Sequence, residues 1–137
     1  MTASQLSFRA AVLFALIGIG MGIFMGISRD HSIMPAHAHL NLLGWVSLFL
    51  FGIYYRLHPA LDESRLATAQ VGIWSLGTVV LIIAVAAIHM GYTAFDPLAA
   101  ASSLVLLGAM MLFAVLVFRP ALTMNRTSSA PALTPAE

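Results

Sequence analysis

The sequence places two histidines, His37 and His39, at the head of the otherwise apolar run PAHAHLNLLGWVSLFLFGIYYRLHP, residues 35–59. Imidazole is a common ligand of metal ions and of heme iron. An α-helix turns about 100° per residue, so two residues in this spacing point about 200° apart. They cannot easily hold one small ion from one helix face, which needs i,i+4 spacing. Either each histidine serves its own side of a helix, or both lie in an irregular segment before the helix and face water.

Neighbouring side chains favour a cofactor site. Asn41 and Trp45 continue the face of His37 at i+4 and i+8, and Gly44 lies nearly under it. An imidazole, an amide and an indole beside a glycine gap suit a flat cofactor. Because ionisable residues within a membrane span are functional candidates by default, we predict a metal or heme site at His37 and His39. Polar packing and a solvated helix end are the alternatives.

The other histidines are weaker candidates. His89, in AAIHMGY, ends a later apolar segment and is predicted to be a further ligand, a hydrogen-bond partner of a cofactor or a proton relay. The alternative is an interfacial histidine beside Tyr92 in the aromatic belt. His31 and His58 are interpreted as interfacial residues, and Tyr55 as an interfacial anchor.

The composition of the chain indicates the class of protein to which these residues belong. Of 137 residues, 61% are hydrophobic and 8% are charged, and the mean hydropathy is +0.97. A soluble domain has about 25% charged residues, so this chain must present apolar surface to lipid. The absence of cysteine excludes disulfides, iron–sulfur clusters and thiolate sites. A net charge of +1 gives no sign of the basic surface that nucleic-acid binding requires.

The expected fold is an all-α membrane protein with four transmembrane helices. Each apolar stretch has about 20 residues, which is enough to span a bilayer. The predicted helices are residues 8–27, 36–57, 68–88 and 98–118, within a domain of residues 1–119. Residues 120–137 are polar and rich in Pro, Ser, Thr and Ala, and are predicted to be a disordered cytoplasmic tail.

The arginines predict the orientation. In a four-span arrangement one arginine, Arg29, lies on one side and five lie on the other, namely Arg9, Arg56, Arg65, Arg119 and Arg126. The positive-inside rule then makes both termini cytoplasmic in a multi-pass protein of a bacterial inner membrane. His37, His39 and His89 share one depth near the outer face.

The first apolar stretch carries glycines at intervals of four, Gly18, Gly22 and Gly26. Small residues at this spacing let two helix backbones approach closely in a membrane. We therefore expect a packing seam on this helix.

The run from His37 to Pro59 resembles the tenth helix of the catalytic subunit of heme–copper oxidases, above all the C-family. The resemblance rests on the His-x-His start, the Leu-Gly-Trp-Val segment and the inner end with Tyr-Tyr and Pro, and covers about 23 of the 137 residues. In that family the two histidines ligate two different hemes on opposite sides of one helix. The family subunit has twelve helices in three pseudo-equivalent groups of four. The resemblance thus implies that this chain is one such group, with its histidine pair on the second helix.

The chain departs from the family in lacking the copper-ligand cluster and any intramembrane Asp, Glu or Lys for a proton channel. One chain cannot offer both histidines to one heme. A homotrimer could place His37 of one subunit and His39 of the next at each interface, around one non-covalent, bis-histidine heme b. We expect electron transfer, with a quinol or a small periplasmic electron carrier as partner. The alternatives are a small oxygen or nitric-oxide reductase or sensor with an open heme site, and a copper-binding or structural assembly subunit.

Overall fold

The computed structural model describes residues 1–118, and within them the chain is entirely helical, with no strand. Four helices are long and apolar enough to cross a membrane, as predicted. We call them the first to fourth spans: Ala3–Ser28, Met34–Leu57, Arg65–His89 and Thr93–Phe118. The fourth consists of a 3-10 turn, Thr93–Phe95, and the α-helix Asp96–Phe118. The predicted tail lies outside the described residues.

Local capping defines where the first and third spans begin. Thr2 and Gln5 form a capping box, in which each side chain accepts a hydrogen bond from the other residue's backbone. Ser64 caps the third span by accepting the N–H of Ala67. The first span ends at Ser28, and the next residue, Arg29, caps it in a left-handed conformation (φ 57°).

The spans pack mainly in chain order, the first on the second, the second on the third and the third on the fourth. Aromatic rings also join the second span to its neighbours. The Phe51 ring lies 5.1 Å from that of Trp74 on the third span and 4.5 Å from that of Phe113 on the fourth. Large apolar side chains such as Leu16, Leu76 and Leu104 are more than 60% exposed, as a lipid-facing surface requires.

The middle of the second span, Leu40–Ser47, is a π-helix. It joins the α-helical segments Met34–His39 and Leu48–Leu57 without a break. Buried positions recur at every fourth residue of the span, at 36, 40, 44, 48 and 52. In an α-helix a four-residue repeat drifts by about 40° per step. The wider i→i+5 turn counters this drift and keeps the repeat on the bundle side.

Candidate functional site

His37 and His39 both lie within a helix, because the second span is α-helical from Met34, with Pro35 in its first turn. The alternative of an irregular segment is therefore wrong. Both histidines are half-buried. With α-helical geometry between them, they diverge around the axis by the expected ~200°.

The ring of His39 is fixed by a backbone carbonyl one turn earlier. Its Nδ1 lies 2.7 Å from the oxygen of Pro35. A carbonyl can only accept a hydrogen bond, so Nδ1 carries the proton and Nε2 is the unprotonated nitrogen of the neutral ring. Metal-ligating histidines have one ring nitrogen oriented by a hydrogen bond in this way. His58 and His89 make the same contact with a carbonyl one turn earlier, so the contact is compatible with a ligand without identifying one.

His37 lies against Asn41 of its own helix. The Asn41 Nδ2 donates to the His37 carbonyl oxygen at 2.9 Å. The same nitrogen is 3.3 Å from Nδ1 and 3.2 Å from Nε2 of the His37 ring. The predicted association of His37 with Asn41 is therefore present, and the amide covers one side of the imidazole.

Both side chains face glycines of the first span. A Cβ added at Gly22 would lie 3.4 Å from the His37 Cε1, and one added at Gly18 would lie 2.7 Å from the Asn41 Oδ1. We call Gly22–His37 and Gly18–Asn41 the outer contacts. The predicted seam thus exists at Gly18 and Gly22, where it receives polar side chains. A Cβ at Gly26 would meet nothing within 4 Å.

Farther along the same interface, the glycines belong to the second span and the larger side chains belong to the first. A Cβ added at Gly44 would lie 2.9 Å from the Phe14 Cγ, and one added at Gly52 would lie 2.8 Å from the Phe8 Cε1. We call Phe14–Gly44 and Phe8–Gly52 the inner contacts. The gap beside Gly44, which the sequence suggested for a flat cofactor, is occupied by the Phe14 ring of the same chain.

The remaining candidates lie at the surface of the bundle. Trp45 is 46% exposed, so its indole lies mostly outside the interface that holds His37 and Asn41. His89 is the last residue of the third span and is exposed. Its Nδ1 lies 2.8 Å from the Val85 carbonyl oxygen, which leaves Nε2 unprotonated in the neutral ring, as in His39. Among residues 1–118, no group of three or more His, Cys, Asp or Glu side chains could hold a metal ion.

Sequence reasoning missed the buried polar contacts between spans. The Trp74 indole N–H donates to the Leu43 carbonyl at 2.9 Å, and links the third span to the π-helix. Tyr55, expected at the membrane–water interface, is instead fully buried in the bundle. Its hydroxyl donates a hydrogen bond to Gln70 Oε1 at 2.9 Å. No sequence signal separates this tyrosine from the adjacent, half-buried Tyr54.

A second polar cluster lies at the end of the bundle opposite the histidine pair. Asp62 accepts hydrogen bonds from the Ser4 N–H at 2.6 Å and from the Ser4 hydroxyl at 2.8 Å. Burial alone would raise the pKa of this carboxyl. The hydrogen bonds from Ser4 and from the Thr2 side chain, with the nearby charge of Arg56, lower the pKa below its ordinary value.

No protein-family model matches the chain, and the searches of curated proteins and of solved structures gave no match. The resemblance of His37–Pro59 to the oxidase helix therefore stays a prediction.

Proposed function

We propose that this protein binds heme b in the membrane through His37 and His39 and transfers electrons. The observation that carries the proposal is the placement of His37 and His39 on one α-helical membrane span, about 200° apart around its axis. The His39 Nδ1 is bound to the Pro35 carbonyl, which leaves Nε2 to act as a ligand. The ring of His39 lies half-buried in a membrane span. The donor set of this chain thus fits heme iron.

Opposite directions of the two histidines support a heme shared between subunits. The resemblance to the oxidase helix points the same way, because there each histidine of the pair ligates its own heme. In a homotrimer, each interface would combine His37 of one subunit with His39 of the next. An iron held between two imidazoles supplies one-electron transfer. A quinol or a periplasmic electron carrier is the proposed redox partner, and a bacterial inner membrane with cytoplasmic termini is the proposed location.

The contacts of His37 define what this ligation requires. Its ring lies against Gly22 of its own chain and under the Asn41 amide. To reach a heme held by a neighbouring subunit, the ring must rotate away from both. The two histidines are therefore unequal, because the contacts with a glycine and an amide described for His37 are not found for His39, whose ring is held by the Pro35 carbonyl.

This inequality favours a second candidate, in which His39 alone ligates the iron and His37 keeps its packing role. The heme would then have an open position, as in an oxygen or nitric-oxide reductase or sensor. Carbon monoxide distinguishes the two candidates. The reduced spectrum should shift strongly if the position is open, and should change little if both axial positions hold imidazole.

The experiment that tests heme binding is purification in detergent after expression with added heme, followed by a pyridine hemochrome assay. We expect a b-type spectrum for the unaltered chain and its loss in His39→Ala. His58→Ala is the matched control, because the His58 Nδ1 is also bound to a carbonyl one turn earlier, that of Tyr54, but at the other end of the span. A chain that stays colourless would overturn the proposal. The alternative of a structural assembly subunit would then be favoured.

A further inference from the structure

We infer that Asn41 is a positioning residue for His37, because its amide holds the imidazole in the packed position and so weakens the bond from His37 to iron. The inference rests on the proposed function, since it concerns one of the two axial bonds of the heme. A side-chain amide has two N–H groups. The Asn41 Nδ2 donates one of them to the His37 carbonyl oxygen at 2.9 Å, which leaves the other for the ring.

The amide of Asn41 lies over the ring of His37 and not beside either of its nitrogens. Nδ2 is 3.3 Å from Nδ1 and 3.2 Å from Nε2, and is thus almost equally far from both. The two ring nitrogens point in different directions within the ring plane, so a donor bonded to one of them lies far from the other. The second N–H therefore faces the π-system, and a contact of this kind changes an equilibrium by about two- to fivefold.

Glycines of the first span provide the space in which both side chains lie. An added Cβ at Gly18 would stand 2.7 Å from the Asn41 Oδ1, and one at Gly22 would stand 3.4 Å from the His37 Cε1. The amide and the imidazole thus pack together against one face of the first span. The ring of His39 is fixed by a backbone carbonyl instead, so Asn41 acts on only one histidine of the pair.

The packed position of His37 competes with its binding to iron. The imidazole is divided between this position and the one that reaches the heme, and a contact made in only one of them shifts the balance. Because the Asn41 amide stabilises only the packed position, it lowers the apparent affinity of His37 for iron. A small gaseous ligand that displaces His37 therefore binds more readily than it would without the amide, while the bond from His39 is unaffected.

Carbethoxylation by diethyl pyrocarbonate tests the contact in the full chain without heme. Peptide mass spectrometry gives the rate of modification at each histidine. We expect Asn41→Ala to raise the rate at His37 by about two- to fivefold and to leave that at His39 unchanged. Ser47→Ala is the matched control, because it removes a side chain of the same span that is bonded to a backbone carbonyl of its own helix, at 2.8 Å.

An unchanged ratio of the His37 and His39 rates in Asn41→Ala would overturn the inference. If Asn41→Ala unfolds, both rates rise together, and Asn41→Leu, which keeps the volume of the side chain, takes its place. The same selective rise at His37 is then expected, and equal rates in Asn41→Leu and the unaltered chain would overturn the inference.

Titration of the reduced, heme-loaded protein with carbon monoxide tests the effect on the iron. We expect the concentration that half-saturates the heme to rise about two- to fivefold in Asn41→Ala, because the displaced imidazole loses the contact that stabilises it. An unchanged concentration, with a raised His37 reactivity, would show that the amide holds the ring of a residue that does not ligate iron, and would overturn the positioning role. If no chain binds heme, the proposed function fails, while carbethoxylation still decides whether Asn41 holds the ring.

Discussion

The imidazole of His37 lies against Gly22 of the first span, where an added Cβ would stand 3.4 Å from its Cε1. This contact means that a predicted cofactor ligand also belongs to the packing of its own chain. The adjacent Gly18–Asn41 contact is closer still, at 2.7 Å from the added Cβ to Oδ1. A substitution that disturbs the packing of the first span on the second should therefore also affect the proposed ligand His37.

Gly18→Ala should destabilise the protein, whereas Gly20→Ala should not. The new methyl at position 18 overlaps the Asn41 amide, which is held by its bond to the His37 carbonyl. A Cβ at Gly20 meets nothing within 4 Å. We expect a loss of about 1–3 kcal/mol for Gly18→Ala, measured by thermal unfolding in detergent. Equal melting temperatures for the two variants would contradict the outer contacts.

Gly44→Ala should be rescued by a smaller residue at position 14. The added methyl would lie 2.9 Å from the Phe14 Cγ. In a double-mutant cycle with Phe14→Leu, we expect a favourable coupling of about 0.5–3 kcal/mol. Gly72→Ala serves as the control, since a Cβ there meets nothing within 4 Å. Strict additivity of the two substitutions would show that Phe14 does not occupy the Gly44 gap.

Asp62→Asn should lower stability at neutral pH by about 1–3 kcal/mol, because the Ser4 N–H and hydroxyl lose a charged acceptor. The folded-state pKa of Asp62 lies below its ordinary value of 3.8. Its stabilising effect is therefore complete above the unfolded pKa and is lost as the pH falls through the folded pKa.

Thermal unfolding of Asp62→Asn and of the unaltered protein should accordingly converge below about pH 4. Glu63→Gln is the control, since Glu63 is exposed and its substitution should change little. A stability difference for Asp62→Asn that does not change with pH would contradict the role of the carboxylate.

Thr78→Val should leave stability unchanged or raise it by about 1 kcal/mol. Within the described part of the chain, the Thr78 hydroxyl is buried without a hydrogen-bond partner. Replacing an unsatisfied polar group by an apolar group of the same shape removes its desolvation cost. Chemical unfolding in detergent measures the effect, and Ser102→Ala, which removes a bonded hydroxyl, is the comparison. A loss above about 1 kcal/mol for Thr78→Val would show that this hydroxyl is bonded.

The four spans could be predicted because each is an apolar run of bilayer length, a property read from composition alone. Their observed ends differ from the predicted ones by a few residues, since capping at Thr2 and Ser64 extends the helices beyond the apolar runs. The sequence does not predict the π-helix, because the length of an apolar run indicates a span without its type of turn, and the four-residue repeat is made partly of glycine.

The directions of the site residues were predicted only within one helix. Helix pitch placed Asn41 beside His37 and sent His39 to the other side. It could not show that Phe14 fills the space at Gly44, because that contact depends on the register between two spans. The burial of Tyr55 likewise depends on Gln70 of the third span.

The heme-to-chain ratio of the purified protein, read together with its mass in detergent, tests whether His37 and His39 share hemes between subunits. We expect one b-type heme per chain in a homotrimer, with heme binding lost in His39→Ala and kept in His58→Ala. A protein that stays colourless after heme is supplied, or heme binding that survives His39→Ala, would contradict it.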